Sequence, residues 1–89
     1  MTEPRVLQLL GREDCGLCEE FEQALREHPA FVGLELRRAD VDEHPEWLRR
    51  YGLRVPVLLD TWNEVVCEGR FDAKAFEAWC RDLARSAVR

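Results

Sequence analysis

The spacing of apolar residues along the chain predicts its secondary structure. A short apolar run over residues 5–10 stops at Gly11 and is typical of a buried strand. Rough alternation of apolar and polar residues over 34–41 predicts a second strand. Between them, after a loop over 11–16, apolar residues recur at helical spacing towards His28-Pro29. The inner face of that helix is predicted to hold Leu17, Phe21, Ala24 and Leu25.

A second helix is predicted in the middle of the chain, and it is short. Asp42 is the expected N-cap, and Gly52 is expected to end the helix after Tyr51. Its spacing predicts an inward face made of Trp47, Leu48 and Tyr51.

The last third of the chain predicts a hairpin and a third helix. Apolar strands over 55–60 and 64–68 are separated by a turn over 61–63. Gly69 breaks the chain, and Asp72 can cap the helix that follows. The amphipathic face of this helix is marked by Ala75, Phe76, Trp79, Leu83 and Ala84.

The predicted order of elements is β-α-β-α-β-β-α. Strand–helix–strand units at the start imply a parallel pair of strands, and the closing hairpin implies an antiparallel pair. The expected fold class is therefore α/β, with a mixed four-stranded sheet and helices on both faces.

Length and composition limit the molecule to one small domain. The chain has 89 residues, of which 46% are apolar and 35% are charged, an ordinary balance for a globular protein. No apolar run approaches the ~18 residues that a membrane span needs. The segment 1–5 lacks the basic patch and apolar stretch of a secretory signal. We therefore expect a soluble, cytoplasmic protein.

The charge balance narrows the classes of partner. Thirteen basic and 18 acidic residues give a net charge of −5. Nucleic-acid binding rests on neutralising phosphates with Lys and Arg, and anionic membranes attract basic segments. Neither a nucleic acid nor a membrane is therefore an expected partner.

The chemistry-bearing motif is Cys15-Gly16-Leu17-Cys18, at the junction of the first strand and the first helix. Two cysteines at this spacing inside a β-α-β unit are typical of a redox motif. Cys15 is expected at the helix N-terminus, where free N–H groups and the helix dipole stabilise a thiolate. Cys18 lies one turn further on the same helix face, so the pair can close a disulfide. We expect Cys15 to be the more exposed thiol and Cys18 the more buried.

The alternative interpretation of this motif is half of a zinc site. Zinc normally takes four ligands, often from two paired clusters. Cys67 and Cys80 are not such a pair, so no metal ligand is assigned and the redox interpretation is favoured. Both are interpreted as buried small hydrophobes, one on a strand and one on a helix. His28 and His44 are expected on the surface, and Trp47 and Trp79 in the core, outside the site.

These motifs together resemble glutaredoxins, within the thioredoxin-fold superfamily, and in particular short bacterial glutaredoxin-like proteins. Cys15–Cys18 matches the active-site C-x-x-C, and Arg54–Pro56 stands where the superfamily has a cis-proline. Gly69–Asp72 stands where glutaredoxins carry a Gly-Gly-x-Asp turn. Arg12 matches a basic residue three positions before the first cysteine. The resemblance covers nearly the whole chain and implies one glutaredoxin-like domain over residues 1–89.

The resemblance also implies a set of substrate contacts. Pro56 would be cis and lie beside the thiols, which turns the Val55 backbone towards an extended peptide such as glutathione. Arg12 would hold a carboxylate. Asp72 and the first N–H groups of the last helix would hold the γ-glutamyl end of glutathione, next to the turn that begins at Gly69.

Several positions depart from the family pattern. Gly16-Leu17 replaces the usual Pro-Tyr or Pro-Phe, and Arg70 replaces the second glycine of the turn. Leu9 and Asp14 stand where thioredoxins have a buried Asp and a Trp, which disfavours the thioredoxin subtype. Cys18 stands where monothiol, cluster-binding glutaredoxins have Ser.

Charges of both signs surround the motif. Arg12, Arg54 and Arg70 would converge on it from three loops in this fold, or be solvated surface charges. The flanking carboxylates disfavour a thiolate and repel an anionic tripeptide; they are Glu13, Asp14, Glu19 and Glu20.

The predicted function is a thiol–disulfide oxidoreductase in which Cys15 attacks a disulfide and Cys18 resolves the mixed disulfide. The expected partner is a disulfide-containing protein or glutathione, and the protein is expected to be a monomer. No tightly bound cofactor is expected, with glutathione as a candidate reductant. The alternative is a non-catalytic thioredoxin-fold binding module, or a carrier of a metal or iron–sulfur cluster.

Overall fold

The computed structural model of the protein describes residues 5–87. The predicted domain over 1–89 therefore stays a prediction at its two ends, and residues 1–4 of the segment examined for a secretory signal lie outside the described residues. Four strands are present: β1 (Val6–Gly11), β2 (Glu35–Asp40), β3 (Val57–Leu59) and β4 (Val65–Glu68). Three α-helices accompany them: α1 (Gly16–Glu27), α2 (Pro45–Tyr51) and α3 (Ala73–Ala87). The predicted order of elements is confirmed.

One mixed sheet contains all four strands, in the order β2-β1-β3-β4. β1 is parallel to β2 and antiparallel to β3, and β4 is antiparallel to β3. The parallel pair at the start and the antiparallel hairpin at the end were both predicted. Because β1 is central, its carboxyl end carries the following loop between β2 on one side and β3 on the other.

Alternation along β1 and β3 divides the core between the two faces of the sheet. Leu7, Leu9 and Leu58 pack with α1 and α3 on one face, whose other buried members are Phe21, Leu25, Cys67 and Phe76. Leu10, Val57 and Leu59 pack on the opposite face with Val41 and Tyr51. Helices therefore cover both faces, as the hydrophobic pattern predicts. None of the helices within 5–87 is long and apolar enough to cross a membrane.

The start of the second helix differs from the prediction. Asp42 is not its N-cap, because a 3-10 turn over Val41–Glu43 comes first. The Asp40 side chain caps that turn by accepting from the Asp42 N–H at 2.9 Å. α2 begins only at Pro45, whose ring fixes a helical φ and whose missing N–H has no role in a first turn. Gly52 does end the helix, as its C-cap. A Cβ at this position would lie 2.5 Å from the Leu48 carbonyl oxygen, so the close approach of the backbone favours glycine here.

Three predicted inward positions are exposed. Leu17 is 49% exposed and Leu48 is 42% exposed, and Ala24 also faces solvent. Phe21 and Leu25 are buried on the inner face of α1 as predicted, and the third buried residue of the helix is Glu22. Its carboxylate is tolerated there because it forms ion pairs with Arg26 and Arg38, which apolar spacing does not reveal.

His28 is not a surface residue, contrary to the prediction. Its side chain is only 13% exposed, and its ring packs against Phe71 and Phe76. Its Nε2 lies 2.8 Å from a Glu77 carboxylate oxygen, which ties the end of α1 to α3. His44 is exposed as predicted. Trp47 and Trp79 are half-buried against the two core clusters, Trp79 donating to Asp60 at 3.3 Å.

β3 is shorter than predicted at both ends. Pro56 lacks the N–H that a ladder needs. At the other end the buried Asp60 leaves the strand and accepts from the N–H groups of Trp62 and Glu64, at 2.8 and 2.9 Å. These bonds build the predicted hairpin turn, whose Asn63 has a positive φ of 62°. Asn tolerates that conformation better than most residues.

Candidate active site

Cys15 and Cys18 occupy the junction between β1 and α1. Gly11 ends the strand, a short loop follows, and Cys15 is the N-cap of the helix. The two cysteines are joined by a disulfide, with their Cα atoms 5.2 Å apart. Both side chains are half-buried, so the predicted difference between a more exposed Cys15 and a more buried Cys18 stays a prediction.

Two backbone N–H groups of the first helical turn donate to Cys15, one of them to its sulfur. Its Sγ accepts from the Cys18 N–H at 3.1 Å, and its carbonyl accepts from the Glu19 N–H at 3.1 Å. A residue at this position receives both a free N–H and the positive end of the helix dipole. In the reduced protein the same donor stabilises a thiolate on Cys15 in preference to a thiol.

A glycine on β1 makes room for Cys18. A Cβ at Gly11 would stand 3.0 Å from the Cys18 Sγ, so with a side chain there the sulfur would have to shift by a few tenths of an ångström. The sequence marked Gly11 only as the end of a strand. Its role becomes visible once the register of α1 on the sheet is known. A Cβ at Gly16, by contrast, would meet nothing within 4 Å.

The proline matched to the family cis-proline follows α2 and precedes β3. The Val55–Pro56 bond is cis, as the resemblance implies. Leu10 pairs with Val57 in the antiparallel ladder, so Pro56 lies one residue beyond the ladder, at the end of β1 where Gly11 contacts Cys18. The Pro56 carbonyl accepts from the Gly69 N–H at 2.8 Å. That bond connects the proline loop to the turn before α3.

Two of the three matched arginines are engaged within the protein. Arg12 donates to both Asp42 carboxylate oxygens at 3.2 and 3.0 Å and to the Gly52 carbonyl at 2.7 Å. Hydrogen bonding from Arg12 lowers the pKa of Asp42. Arg12 thus ties the Cys15 loop to both ends of the α2 region.

The other two arginines differ from each other. Arg54 forms a bidentate ion pair with Glu68, with both hydrogen bonds at 2.8 Å, and its guanidinium lies 5.1 Å from the centre of the Tyr51 ring. Arg70 is exposed, and its guanidinium makes no ion pair with any residue the structure describes. The structure therefore leaves Arg70, rather than all three arginines, as an unengaged cation.

The turn before α3 keeps one family glycine for a backbone reason and has lost the other. Gly69 has a φ of +79°, which favours glycine. Arg70 does not have a positive φ, so the missing second glycine causes no backbone strain. Asp72 caps α3, accepting from the Ala75 N–H at 3.1 Å, as predicted. That bond also uses one carboxylate oxygen of Asp72, the side chain expected to hold the γ-glutamyl end of glutathione.

A groove of about 820 Å³ opens beside the disulfide, between α1 and β2. Its wall includes the half-exposed cysteines and the buried Glu22. Burial acts most strongly on this carboxyl and raises its pKa, but hydrogen bonds from Arg38 and Arg26 outweigh it and lower the pKa overall. Glu22 is therefore a carboxylate that ties α1 to the edge strand β2.

Cys67 and Cys80 are free thiols away from this groove. Cys67 on β4 is 8% exposed within the core, and Cys80 on α3 packs against the same cluster. Burial raises the pKa of both thiols. Within residues 5–87, no three His, Cys, Asp or Glu side chains lie close enough together to hold a metal ion.

The sequence profile of the Glutaredoxin-like domain (DUF836) matches residues 6–81, which includes the disulfide, the cis-proline and the turn before α3. The chain belongs to this family. The glutaredoxin-like protein is also similar to two solved structures, each 34% identical in sequence. No curated protein matches it.

Both solved structures extend over nearly the same fold. The solution NMR structure of protein Ne2328 from Nitrosomonas europaea has a TM-score of 0.77 and covers 89% of this chain and 94% of its own. The X-ray structure of structural genomics target protein XcR50 from X. campestris has a TM-score of 0.68 and covers 85% of this chain and 96% of its own. The predicted thioredoxin/glutaredoxin-like fold is thereby confirmed.

Proposed function

We propose that this glutaredoxin-like protein is a thiol–disulfide oxidoreductase that reduces protein or glutathione mixed disulfides. The observation that carries the proposal is the placement of Cys15 as N-cap of α1, with its sulfur accepting the Cys18 N–H at 3.1 Å. That placement favours the thiolate that attacks disulfides. The second cysteine of the pair lies within disulfide reach of the first.

The reaction begins from the reduced dithiol. The Cys15 thiolate attacks one sulfur of the substrate disulfide, and the other substrate sulfur leaves as a thiolate that takes up a proton. Cys18 then loses its proton and attacks the Cys15 sulfur of the mixed disulfide. The second substrate thiol leaves, and the protein holds the Cys15–Cys18 disulfide. Two electrons pass from the protein to the substrate. Two equivalents of an external thiol such as glutathione restore the dithiol and are themselves joined as a disulfide.

Glutathione is the weaker of the two substrates in this proposal. Its expected contacts are Arg12, the Val55 backbone, the turn at Gly69 and Asp72. Arg12 is already bound to Asp42 and Asp72 already caps α3, so glutathione would have to share both. Losing or sharing one charge-assisted hydrogen bond costs about 1–3 kcal/mol. We therefore propose a protein disulfide or mixed disulfide as the natural substrate.

A trapping experiment tests the function. The reduced wild type, Cys15→Ser and Cys18→Ser are each mixed with a protein carrying a glutathione mixed disulfide. We expect turnover by the wild type with glutathione present, a mixed disulfide that accumulates on Cys15 of Cys18→Ser, and no adduct at position 15 of Cys15→Ser. A wild-type dithiol that stays inert would contradict the proposal and favour a binding module or a cluster carrier.

A further inference from the structure

The groove beside the disulfide has the length of a short peptide segment. It runs from the Cys15 loop along one side of α1 to Glu27, with the end of the edge strand β2 as its other wall. Twelve helical steps at a rise of about 1.5 Å make about 18 Å. Five or six residues of extended chain at about 3.3 Å each cover that distance.

This groove lies on the opposite side of β1 from the cis-proline. β2 and β3 flank β1 on its two sides, and neither Val55 nor Pro56 lines the groove. A segment lying here therefore makes contacts in addition to those expected at the Val55 backbone. It leaves that backbone free to pair with the residues on the other side of the substrate disulfide.

The lining of the groove carries an excess of negative charge. Six carboxylates face three guanidinium groups. All three guanidinium groups are already bound, Arg12 to Asp42, and Arg26 and Arg38 to Glu22. Five of the six lining carboxylates form no ion pair with a described residue: Glu13, Asp14, Glu19, Glu27 and Asp40.

We propose that this groove binds a polypeptide segment that carries lysine or arginine next to the substrate disulfide. The proposal rests on the oxidoreductase function and specifies its substrate. A cationic segment would form ion pairs with carboxylates that line the groove and have no such partner within the described residues, beside the sulfurs that react. Glutathione is shorter than the groove and carries two carboxylates, so the same field repels it.

Single-turnover reduction of matched peptides tests this substrate preference. Each peptide carries an intramolecular disulfide whose flanking residues are lysine, serine or glutamate, and the reduced protein supplies both electrons. Rates are divided by the rate of the same peptide with dithiothreitol, a neutral dithiol, because charge also alters the peptide's own reactivity. At low salt we expect the lysine peptide to react about tenfold or more faster than the glutamate peptide, with the ratio shrinking as salt rises.

Two triple variants with equal change of charge locate the effect. The groove variant combines Glu13→Gln, Asp14→Asn and Glu19→Gln, where Asn suits the positive φ of 55° at position 14. The control variant combines Glu43→Gln, Glu64→Gln and Asp82→Asn, three exposed acids that do not line the groove. We expect the groove variant to lower the lysine-to-glutamate ratio about threefold or more, and the control to leave it within about twofold.

The outcomes distinguish the preference for cationic substrates from the oxidoreductase function on which it rests. If the serine peptide is reduced but the lysine-to-glutamate ratio is near one, the oxidoreductase stands and the cationic preference is wrong. A ratio that falls equally in both variants overturns the groove as its source, because net charge alone would explain it. If none of the peptides is reduced, the oxidoreductase proposal fails, and the substrate preference fails with it.

Discussion

The four cysteines form two groups with opposite surroundings. Cys15 and Cys18 lie at the start of a helix, half-buried beside a groove, and are joined as a disulfide. Cys67 and Cys80 are free thiols packed against the core. The Cys18 N–H donates to the Cys15 sulfur in the first pair, whereas burial raises the pKa of the second pair. One kind of side chain thus forms a disulfide beside a groove in one region and packs against the core in the other.

The comparison teaches that position along a helix or strand decides what a cysteine can do. A thiol at a helix N-terminus is stabilised in its charged form, and a thiol among leucines and phenylalanines is stabilised in its neutral form. Cys67 illustrates the second case, because desolvation outweighs the hydrogen bond it receives from the Asp72 backbone.

The largest expected effect is the loss of activity on removing the nucleophile. Cys15→Ser should lower the rate of disulfide reduction about a thousandfold or more, because the attacking sulfur is gone. Cys67→Ala combined with Cys80→Ala is the matched control and should keep the wild-type rate within about threefold, since neither sulfur takes part in the reaction. Initial rates with the same mixed-disulfide substrate measure both. Comparable losses of rate in Cys15→Ser and in the Cys67→Ala, Cys80→Ala control would contradict the distinction between the two pairs of cysteines.

Alkylation of the reduced protein should separate the two groups next. We expect Cys15 to react with iodoacetamide along a titration curve whose midpoint lies below that of a free thiol. The midpoints of Cys67 and Cys80 should lie above that of a free thiol, because burial raises both pKa values. Mass spectrometry of peptides from a pH series gives each rate. Equal midpoints near 8.5, the value for a free thiol, would remove the argument from helix position.

The stability of the reduced protein at high pH is a third test, which concerns Cys67 and Cys80 alone. The folded pKa of Cys67 and Cys80 is raised, so their contribution is fully present below the unfolded pKa and is lost as pH rises through the folded pKa. We expect the free energy of unfolding of the reduced protein to fall with pH above about 9. The Cys67→Ala, Cys80→Ala variant should fall less steeply, measured by urea unfolding. Parallel slopes would mean that the two thiols titrate alike when folded and unfolded.

The smallest expected effect concerns the site's use of glutathione. Arg70→Gly restores the family's second turn glycine, and because Arg70 has no positive φ the change tests bulk rather than strain. We expect glutathione-linked turnover to rise about threefold, within the range of one weak steric contact. Lys74→Ala, a nearby exposed cation on α3, is the control for charge. A tenfold fall in Arg70→Gly, about 1.4 kcal/mol, would instead make Arg70 a ligand.

Sequence patterns located the elements and the reactive pair because both depend on local spacing. The apolar run of β1 and the C-x-x-C at its end were enough to predict a thiol pair at a strand–helix junction. The resemblance supplied the cis-proline, which no local pattern would have favoured. Two of the four predicted inner positions of α1 are exposed, and Glu22 is buried there because it pairs with Arg26 on the same helix and with Arg38 on β2.

What the sequence missed depended on contacts between distant segments. Arg12 was expected to hold a substrate carboxylate, but it binds Asp42, which lies 30 positions away in sequence and contacts it only in the folded chain. His28 looked exposed beside its proline, but α3 folds back over it. The groove along α1 could not be foreseen for the same reason, since β2 forms its second wall.

In the proposed reaction, only Cys15 and Cys18 exchange electrons with a substrate. The most direct measurement is peptide mapping after one turnover. All four cysteines are reduced, one equivalent of disulfide substrate is added, free thiols are blocked under denaturing conditions, and the digest is analysed by mass spectrometry. We expect a Cys15–Cys18 disulfide, with blocking groups on Cys67 and Cys80. A disulfide that includes Cys67 or Cys80, or four blocked thiols, would contradict the claim.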